Sequence, residues 1–188
     1  MQHPKIFVQD NFFEDTFLKQ LQQEIVTLDF SSRYQETAND ERNSHVDQKI
    51  YHQVVLSQES KVVLKVKENI KKYFSVTIEG MNSYYFLSFP NTHAIPHKDG
   101  SVYNCIIYLL GDPLINNGTG FYEKNGDVSN LHTHIGFKEN RAIFFDSHIW
   151  HSPLQFAGNS TPRYIMANFI GVTDKYMYSD EKGEVCKK

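Results

Sequence analysis

Residues 142–153 read AIFFDSHIWHSP: four apolar residues, then a polar stretch that holds two histidines. A short apolar run that ends at a turn is typical of a strand buried on both faces. Similar aromatic or β-branched runs lie on either side at near-regular spacing, separated by Gly, Asn and Pro turns. These runs span residues 84–89, 102–110, 120–123, 132–137, 142–145 and 163–171. Such a series predicts a mostly antiparallel sandwich or barrel.

The chain before residue 76 has a different pattern. Apolar residues recur about every 3.6 positions from Phe17 to Leu28, which predicts a helix, and residues 57–74 predict a second one. Short strands are expected at 6–8 and 50–56. The polar segment 31–49 predicts a loop, interpreted as either a surface excursion or a substrate lid. We expect helices that pack on one sheet of a mainly β protein.

Composition narrows the possible functions. A net charge of −3 gives no general field that would attract nucleic acid, and no apolar stretch approaches the length of a membrane span. The two cysteines suggest neither a disulfide framework nor a cysteine-based zinc site. We expect a soluble, cytoplasmic protein that binds neither nucleic acid nor membrane. The length fits a single domain over residues 1–188, with helical support at 1–75, a β core at about 76–172 and a tail at 173–188.

The segment 95–100 is a candidate metal site. His97 and Asp99 are two residues apart, so in an extended backbone both side chains face the same way and can reach one ion. Two histidines and one carboxylate on one face of iron(II) leave three coordination positions open for a co-substrate and oxygen. The His-x-Asp pattern is common by chance, and His45 and Asp47 form a second copy.

Arginine helps to choose between the two copies. A dicarboxylate co-substrate needs a cation at its far end, and the planar guanidinium group binds carboxylates with two hydrogen bonds. The sequence has arginine at positions 33, 42, 141 and 163. Arg163 opens the last predicted strand, 12 residues after His151, and shares a strand face with Ile165 and Ala167. This favours the copy at His97, whereas His45 has no such arginine shortly after it.

Four stretches together resemble the iron(II)- and 2-oxoglutarate-dependent oxygenases, in particular the prolyl-hydroxylase-like branch. The resemblance covers roughly residues 82–171. The stretches are Pro96-His97-Lys98-Asp99, the strand at 105–110, the run from Phe144 to His151, and Arg163-Tyr164.

This resemblance implies a double-stranded β-helix, or jelly roll, over the β core. It implies that His97, Asp99 and His151 form the metal triad, and that Arg163, assisted by the Tyr108 hydroxyl, binds the C5 carboxylate of 2-oxoglutarate. The implied cofactors are iron(II) and 2-oxoglutarate, with ascorbate as a reductant. Dioxygen and an unidentified primary substrate complete the reaction. A halogenase of this family would have Gly or Ala in place of Asp99, which leaves a coordination position vacant for a halide. The presence of Asp99 therefore favours hydroxylation over halogenation.

Several alternatives stay open at this point. His148 competes with His151 as third ligand, and His132 with His134 is a further histidine pair. The related hydroxylases often have a tyrosine where this chain has Phe89, for which Tyr85 is a weak substitute. The primary substrate is either a protein side chain or a small molecule. A jelly-roll module that binds metal or dicarboxylate without turnover, or a purely structural β-sandwich, would share the same patterns.

Overall fold

The computed structural model describes residues 6–33, 51–89, 96–114, 117–125, 128–155 and 161–171. Within these ranges the chain forms ten strands and two helices. In chain order they are β1 (Ile6–Gln9), α1 (Asp15–Ile25), β2 (Ser31–Arg33), β3 (Tyr51–Val55), α2 (Lys61–Phe74), β4 (Met81–Ser88), β5 (Tyr103–Leu110), β6 (Asn117–Asn125), β7 (Val128–Gly136), β8 (Ala142–Asp146), β9 (Trp150–Gln155) and β10 (Arg163–Ile170).

The strands form two antiparallel sheets. Seven strands make the larger sheet in the order β1-β8-β5-β10-β4-β3-β2, and three make the smaller sheet in the order β7-β6-β9. An isolated bridge between His97 and His151 adds the segment before β5 to the edge of the smaller sheet. From β4 onward the chain therefore passes repeatedly from one sheet to the other. This is the double-stranded β-helix that the resemblance implied.

Both helices contribute to an apolar core on the outer face of the larger sheet. Val63, Val66 and Ile70 of α2 are fully buried in it, together with Ile107 and Leu109 of β5. The hydroxyl of Ser60 accepts a hydrogen bond from the backbone N–H of Val63, so it caps the start of α2. Hydrophobic periodicity in the sequence thus predicted both helices.

A second core lies between the two sheets. Tyr108 of β5, Ile143 and Phe145 of β8, and Phe121 of β6 are buried there. Because alternate residues of a strand face opposite sides, β5 directs Ile107 and Leu109 toward the helices and Tyr108 toward the space between the sheets. This inner space is where the predicted site residues lie.

The structure departs from the predicted elements in two places. Residues 31–33 form β2, which pairs with β3, although 31–49 was expected to be loop throughout. β9 was not expected as a strand, because its sequence holds polar residues and Pro153, yet it pairs with β6 along six residues. In both cases the neighbouring strand supplies backbone partners that residue type does not reveal.

Some expectations fall outside the described part of the chain. Residues 34–49 of the loop or lid expected at 31–49 and the tail at 173–188 are among them, and the single-domain boundaries of 1–188 remain a prediction. None of the described helices is long and apolar enough to cross a membrane.

Candidate metal centre and co-substrate site

His97, Asp99 and His151 come together at the edge of the smaller sheet. The backbone N–H of His97 donates to the carbonyl of His151, and the N–H of His151 donates to the carbonyl of His97, both at 2.9 Å. The N–H of Asp99 donates to the carbonyl of Ser147 at 3.1 Å. These bonds attach the segment at 97–99 to β9 and to the turn before it, so three side chains from distant parts of the sequence converge.

Their ligand atoms are close enough to share one ion. One atom from each residue can be chosen so that all three lie within 4.8 Å of one another, the sole such group among the described residues. Nε2 of His151 lies 3.1 Å from Oδ2 of Asp99, and Nε2 of His97 lies 3.8 Å from Oδ1. Two imidazoles and a carboxylate form the donor set of non-haem iron(II) sites, so the residues present fit such a metal.

The surroundings of His151 fix its orientation. Its side chain is only 5% exposed and packs edge-on against Phe145. Nδ1 lies 2.8 Å from the carbonyl oxygen of Ile149, which can only accept, so Nδ1 carries the proton and donates. Nε2, which faces Asp99, is then the atom that can ligate a metal. The His97 side chain is 41% exposed, so the centre opens to solvent on that side.

Asp99 is held as a carboxylate. Burial by itself raises the pKa of this carboxyl group, but a hydrogen bond and attraction from His151, attraction from His97 and a hydrogen bond from Asn104 lower it. The net result is a pKa below the ordinary value. Asp99 is therefore ionised at neutral pH, the form that a cation requires.

Arg163 extends from the larger sheet to the smaller one. It opens β10, yet its Nη1 donates to Oδ1 of Asn117 at 3.1 Å, to the Gly118 carbonyl at 2.8 Å and to the Leu154 carbonyl at 3.3 Å. Only 1% of the residue is exposed. The guanidinium group is thus anchored inside the barrel rather than on an edge strand at the surface.

Tyr108 lies on the same inner face, one strand away. It pairs with Ile165, two residues from Arg163. Its hydroxyl contacts Oγ1 of Thr119 at 2.8 Å and donates to the Ile135 carbonyl at 3.2 Å, while its ring stacks on Phe137. Burial raises the pKa of Tyr108 to about 12, even though Arg163 acts to lower it. The hydroxyl is protonated at neutral pH and can donate to an anion.

The register of the smaller sheet gives the spacing along β6 between the level of His151 and the level of the Gly118 carbonyl that Arg163 contacts. Phe121 of β6 pairs with His151, whereas Gly118, whose carbonyl accepts from Arg163, pairs with Leu154. Three residues along an antiparallel strand correspond to about 10 Å. The triad and the buried cation are therefore at different depths along one barrel.

The competing histidines do not join the centre. His148 is 44% exposed, and its Nδ1 lies 3.1 Å from Asp146, not from the triad. His132 lies beside Glu123 on exposed strand positions. His45 lies outside the described residues. Among the candidates that the structure describes, His151 is the histidine that meets His97 and Asp99.

Two aromatic residues face away from the barrel interior. Tyr85 belongs to the core beneath the helices, where burial raises its pKa. Because its side chain is on the outer face of the sheet, it does not substitute for the tyrosine that related hydroxylases often have at the position of Phe89. Trp150, next to the inward His151, faces outward between the ammonium groups of Lys98 and Lys124, at 5.3 and 4.3 Å from its ring. Strand alternation explains both positions.

Two buried asparagines contact the site and were not identified from the sequence. Asn104 donates to Oδ2 of Asp99 at 2.5 Å, and Asn117 accepts from Arg163. Asn104 follows Asp99 by five residues on a strand predicted to be apolar, so its polarity was the available signal. The position of Asn117 at the start of β6 became informative only once the strand register was known.

Comparisons with known proteins agree with the fold. No family model matches the sequence, and no curated protein matches it. Solved structures do match. A prolyl-4-hydroxylase from Pseudomonas putida has a TM-score of 0.61 and 11% identity, covering 89% of this chain and 92% of that one. HygX from Streptomyces hygroscopicus, with nickel, 2-oxoglutarate and hygromycin B bound, has a TM-score of 0.63 and 9% identity, covering 98% and 91%.

A third similar structure is a prolyl hydroxylase from Trichoplax adhaerens in complex with a peptide fragment of hypoxia inducible factor. Its TM-score is 0.60 at 12% identity, covering 88% of this chain and 83% of that one. At such identities the likeness concerns the fold. The chain has the fold of the 2-oxoglutarate-dependent oxygenases, including prolyl-hydroxylase-like members, as its sequence motifs predicted.

Proposed function

We propose that this protein is an iron(II)- and 2-oxoglutarate-dependent dioxygenase that hydroxylates a primary substrate. The observation that carries the proposal is the convergence of His97, Asp99 and His151 within 4.8 Å at one level of a jelly roll. The buried Arg163 lies deeper in the same barrel. Metal ligands and a cation at different depths suit a co-substrate that has a chelating group at one end and a carboxylate at the other.

The length of 2-oxoglutarate supports this assignment. Its five carbons are joined by four bonds of about 1.5 Å each, so the extended chain spans about 5 Å. A metal–oxygen bond adds about 2 Å and a charge-assisted hydrogen bond about 2.8 Å. The total is close to the separation of about 10 Å between the His151 and Gly118 levels of β6.

The roles of the protein residues follow from their contacts. His97, Asp99 and His151 would hold the metal, with the Nδ1–H of His151 bonded to the Ile149 carbonyl so that Nε2 faces the ion. Arg163 and the Tyr108 hydroxyl would bind the far carboxylate, away from water. When bound, iron(II) and 2-oxoglutarate supply the oxidising chemistry with dioxygen, and release succinate and carbon dioxide. The barrel excludes water and fixes the orientation of both ends.

The identity of the primary substrate stays open between a protein side chain and a small molecule. The similar structures include one with a peptide fragment and one with hygromycin B, so the fold accommodates both kinds. The cytoplasmic location and the use of ascorbate as a reductant remain predictions. Because Asp99 provides a carboxylate ligand, hydroxylation is the outcome that we propose.

Succinate formation tests the proposal directly. The purified protein is incubated with iron(II), 2-oxoglutarate and oxygen, with and without a library of peptides and small metabolites. We expect slow succinate formation without substrate and faster formation with a suitable one, both lost in Asp99→Ala. A wild-type protein that binds manganese(II) and 2-oxoglutarate but forms no succinate under any condition would indicate a binding module instead.

A further inference from the structure

Asn104 lies outside the metal triad, and its side chain contacts Asp99 directly. The residue is 3% exposed and lies on β5, on the strand face directed between the two sheets. Its Nδ2 donates to Oδ2 of Asp99 at 2.5 Å. A buried amide in such contact with a buried carboxylate forms a charge-assisted hydrogen bond, which is stronger than one between neutral groups.

The orientation of the Asn104 amide is determined by its two neighbours. A carboxylate can only accept, so the amide must direct its NH₂ group toward Asp99. Its oxygen then faces the Ser101 hydroxyl, which donates to it at 2.7 Å. The amide is therefore held at both ends, in the orientation that donates to Asp99.

Backbone contacts hold the loop but not the carboxylate itself. The N–H of Asp99 donates to the Ser147 carbonyl, and the Ser147 hydroxyl donates to the Ser101 carbonyl. These bonds fix the Cα position of Asp99. The final torsion of an aspartate side chain is broad, because it joins a tetrahedral to a planar carbon. A directed donor from outside the triad restricts this torsion, and it stays in place when the Nε2 of His151 ligates a metal.

We propose that Asn104 is a positioning residue for the metal centre, which holds the Asp99 carboxylate in the orientation that binds the ion. The inference rests on the proposed function, because it assumes that the triad binds a metal. Asn104 acts through Asp99. Residues that orient metal ligands typically change metal affinity by about 10- to 100-fold when they are replaced.

The test compares two buried asparagines on opposite faces of the same sheet. Asn168 of β10 pairs with Cys105, the neighbour of Asn104, but its amide donates to the Cys105 carbonyl at 2.9 Å and accepts from Ser83. Asn104→Leu and Asn168→Leu each remove the hydrogen bonds of a buried amide. Manganese(II) affinity is measured for both without co-substrate, together with the cobalt(II) absorption spectrum and the melting temperature.

We expect Asn104→Leu to weaken manganese(II) binding about 10- to 100-fold and to alter the cobalt(II) spectrum. Asn168→Leu should lower the melting temperature while its metal affinity stays near that of the wild type. Equal affinity in Asn104→Leu and wild type would overturn the inference. So would an equal loss of affinity in both variants, because it would reflect general destabilisation.

A milder variant covers the case in which Asn104→Leu does not fold. Ser101→Ala removes the donor that orients the Asn104 amide but leaves Asn104 itself in place. A several-fold loss of manganese(II) affinity supports the inference, and unchanged affinity contradicts it. If the wild-type protein itself fails to bind manganese(II) or cobalt(II), the proposed function fails instead, so the two failures are distinguishable.

Discussion

The hydroxyl of Tyr108 lies 2.8 Å from Oγ1 of Thr119, and this contact joins the two sheets through the interior of the barrel. Tyr108 belongs to the larger sheet and Thr119 to the smaller one. Both residues are buried, and a further bond from the tyrosine reaches the Ile135 carbonyl. Tyr108 therefore has a structural role in the metal-free protein besides the co-substrate contact that we propose.

Replacing Tyr108 with Phe separates these roles. The change keeps the ring that stacks on Phe137 but leaves the Thr119 hydroxyl and the Ile135 carbonyl without the tyrosine. We expect the free energy of unfolding to fall by about 1–3 kcal/mol, as for buried groups that lose a partner. Denaturant titration measures this value. A variant as stable as the wild type would show that the hydroxyl contributes nothing to joining the sheets.

The same substitution should weaken 2-oxoglutarate binding by less than about tenfold, because a single neutral hydrogen bond is worth about 1 kcal/mol. Calorimetric titration of the manganese(II)-loaded protein with 2-oxoglutarate checks this. Thr119→Val is the matched control, since it removes the other hydroxyl of the pair while Tyr108 remains available to the co-substrate.

The choice between two histidines gives a second prediction. His151 lies in the triad, whereas His148, three residues earlier, is exposed and pairs with Asp146. We expect His151→Ala to abolish metal-dependent succinate formation and His148→Ala to retain most of it. Both proteins should show similar circular dichroism spectra. Loss of activity in His148→Ala with full activity in His151→Ala would reverse the ligand assignment.

The sequence singled out His97, Asp99 and Arg163 as candidate site residues because their signals are local. A two-residue spacing places His97 and Asp99 on one face of an extended segment, and an arginine at the start of a strand can be located without any tertiary knowledge. Strand alternation is also readable, yet Tyr85 was weighed as a pocket residue although its neighbours Tyr84 and Phe86 occupy the opposite face. Which residues of β4 face the barrel interior became certain only once the pairing of β4 with β10 was known.

Contacts that depend on register between distant strands could not be predicted in this way. Asn117 reaches Arg163 across 46 positions of sequence because β6 and β10 lie in facing sheets. β9 is a strand because β6 supplies its partners, whereas its own residues include a proline. Residue type gives weak evidence where backbone pairing with another strand determines the structure.

An ion pair between Asp10 and Arg141 predicts acid sensitivity. Asp10, after β1, accepts from Nε of Arg141 at 2.7 Å and from Lys138 at 2.8 Å. The hydrogen bond from Arg141 is the main reason that the pKa of Asp10 falls to about 2. Its folded pKa is below the unfolded value, so the stability from this pair is present above about pH 4 and is lost as the pH falls toward 2.

The measurement is the pH dependence of unfolding in wild type and Asp10→Asn. Because the pair is partly exposed, we expect a difference within about 1 kcal/mol at neutral pH, reduced by added salt. The two proteins should converge as the pH approaches 2. Glu123→Gln provides a control, since that carboxylate is exposed and lies beside His132 at the far end of the smaller sheet. A difference that persists unchanged at pH 2 would contradict the ion-pair explanation.

Arg163 gives the prediction that bears most directly on the co-substrate. Its Nη1 donates to Asn117, Gly118 and Leu154, so the guanidinium group is held in one orientation by three oxygens of the facing sheet. Lysine at this position keeps the charge but loses the planar, two-pronged geometry that binds a carboxylate. A charge-assisted hydrogen bond is worth about 1.5–3 kcal/mol, so 2-oxoglutarate affinity should fall roughly 10- to 100-fold in Arg163→Lys.

Metal affinity provides the internal control for this substitution. The arginine lies on β10, on a different strand from every triad residue, and the register of β6 separates the two levels by about 10 Å. Manganese(II) binding without co-substrate should therefore change little in Arg163→Lys, in contrast to Asp99→Ala, which should lose it. If 2-oxoglutarate binds Arg163→Lys and Arg163→Ala as tightly as wild type, then another residue holds its far carboxylate or the co-substrate is a different molecule.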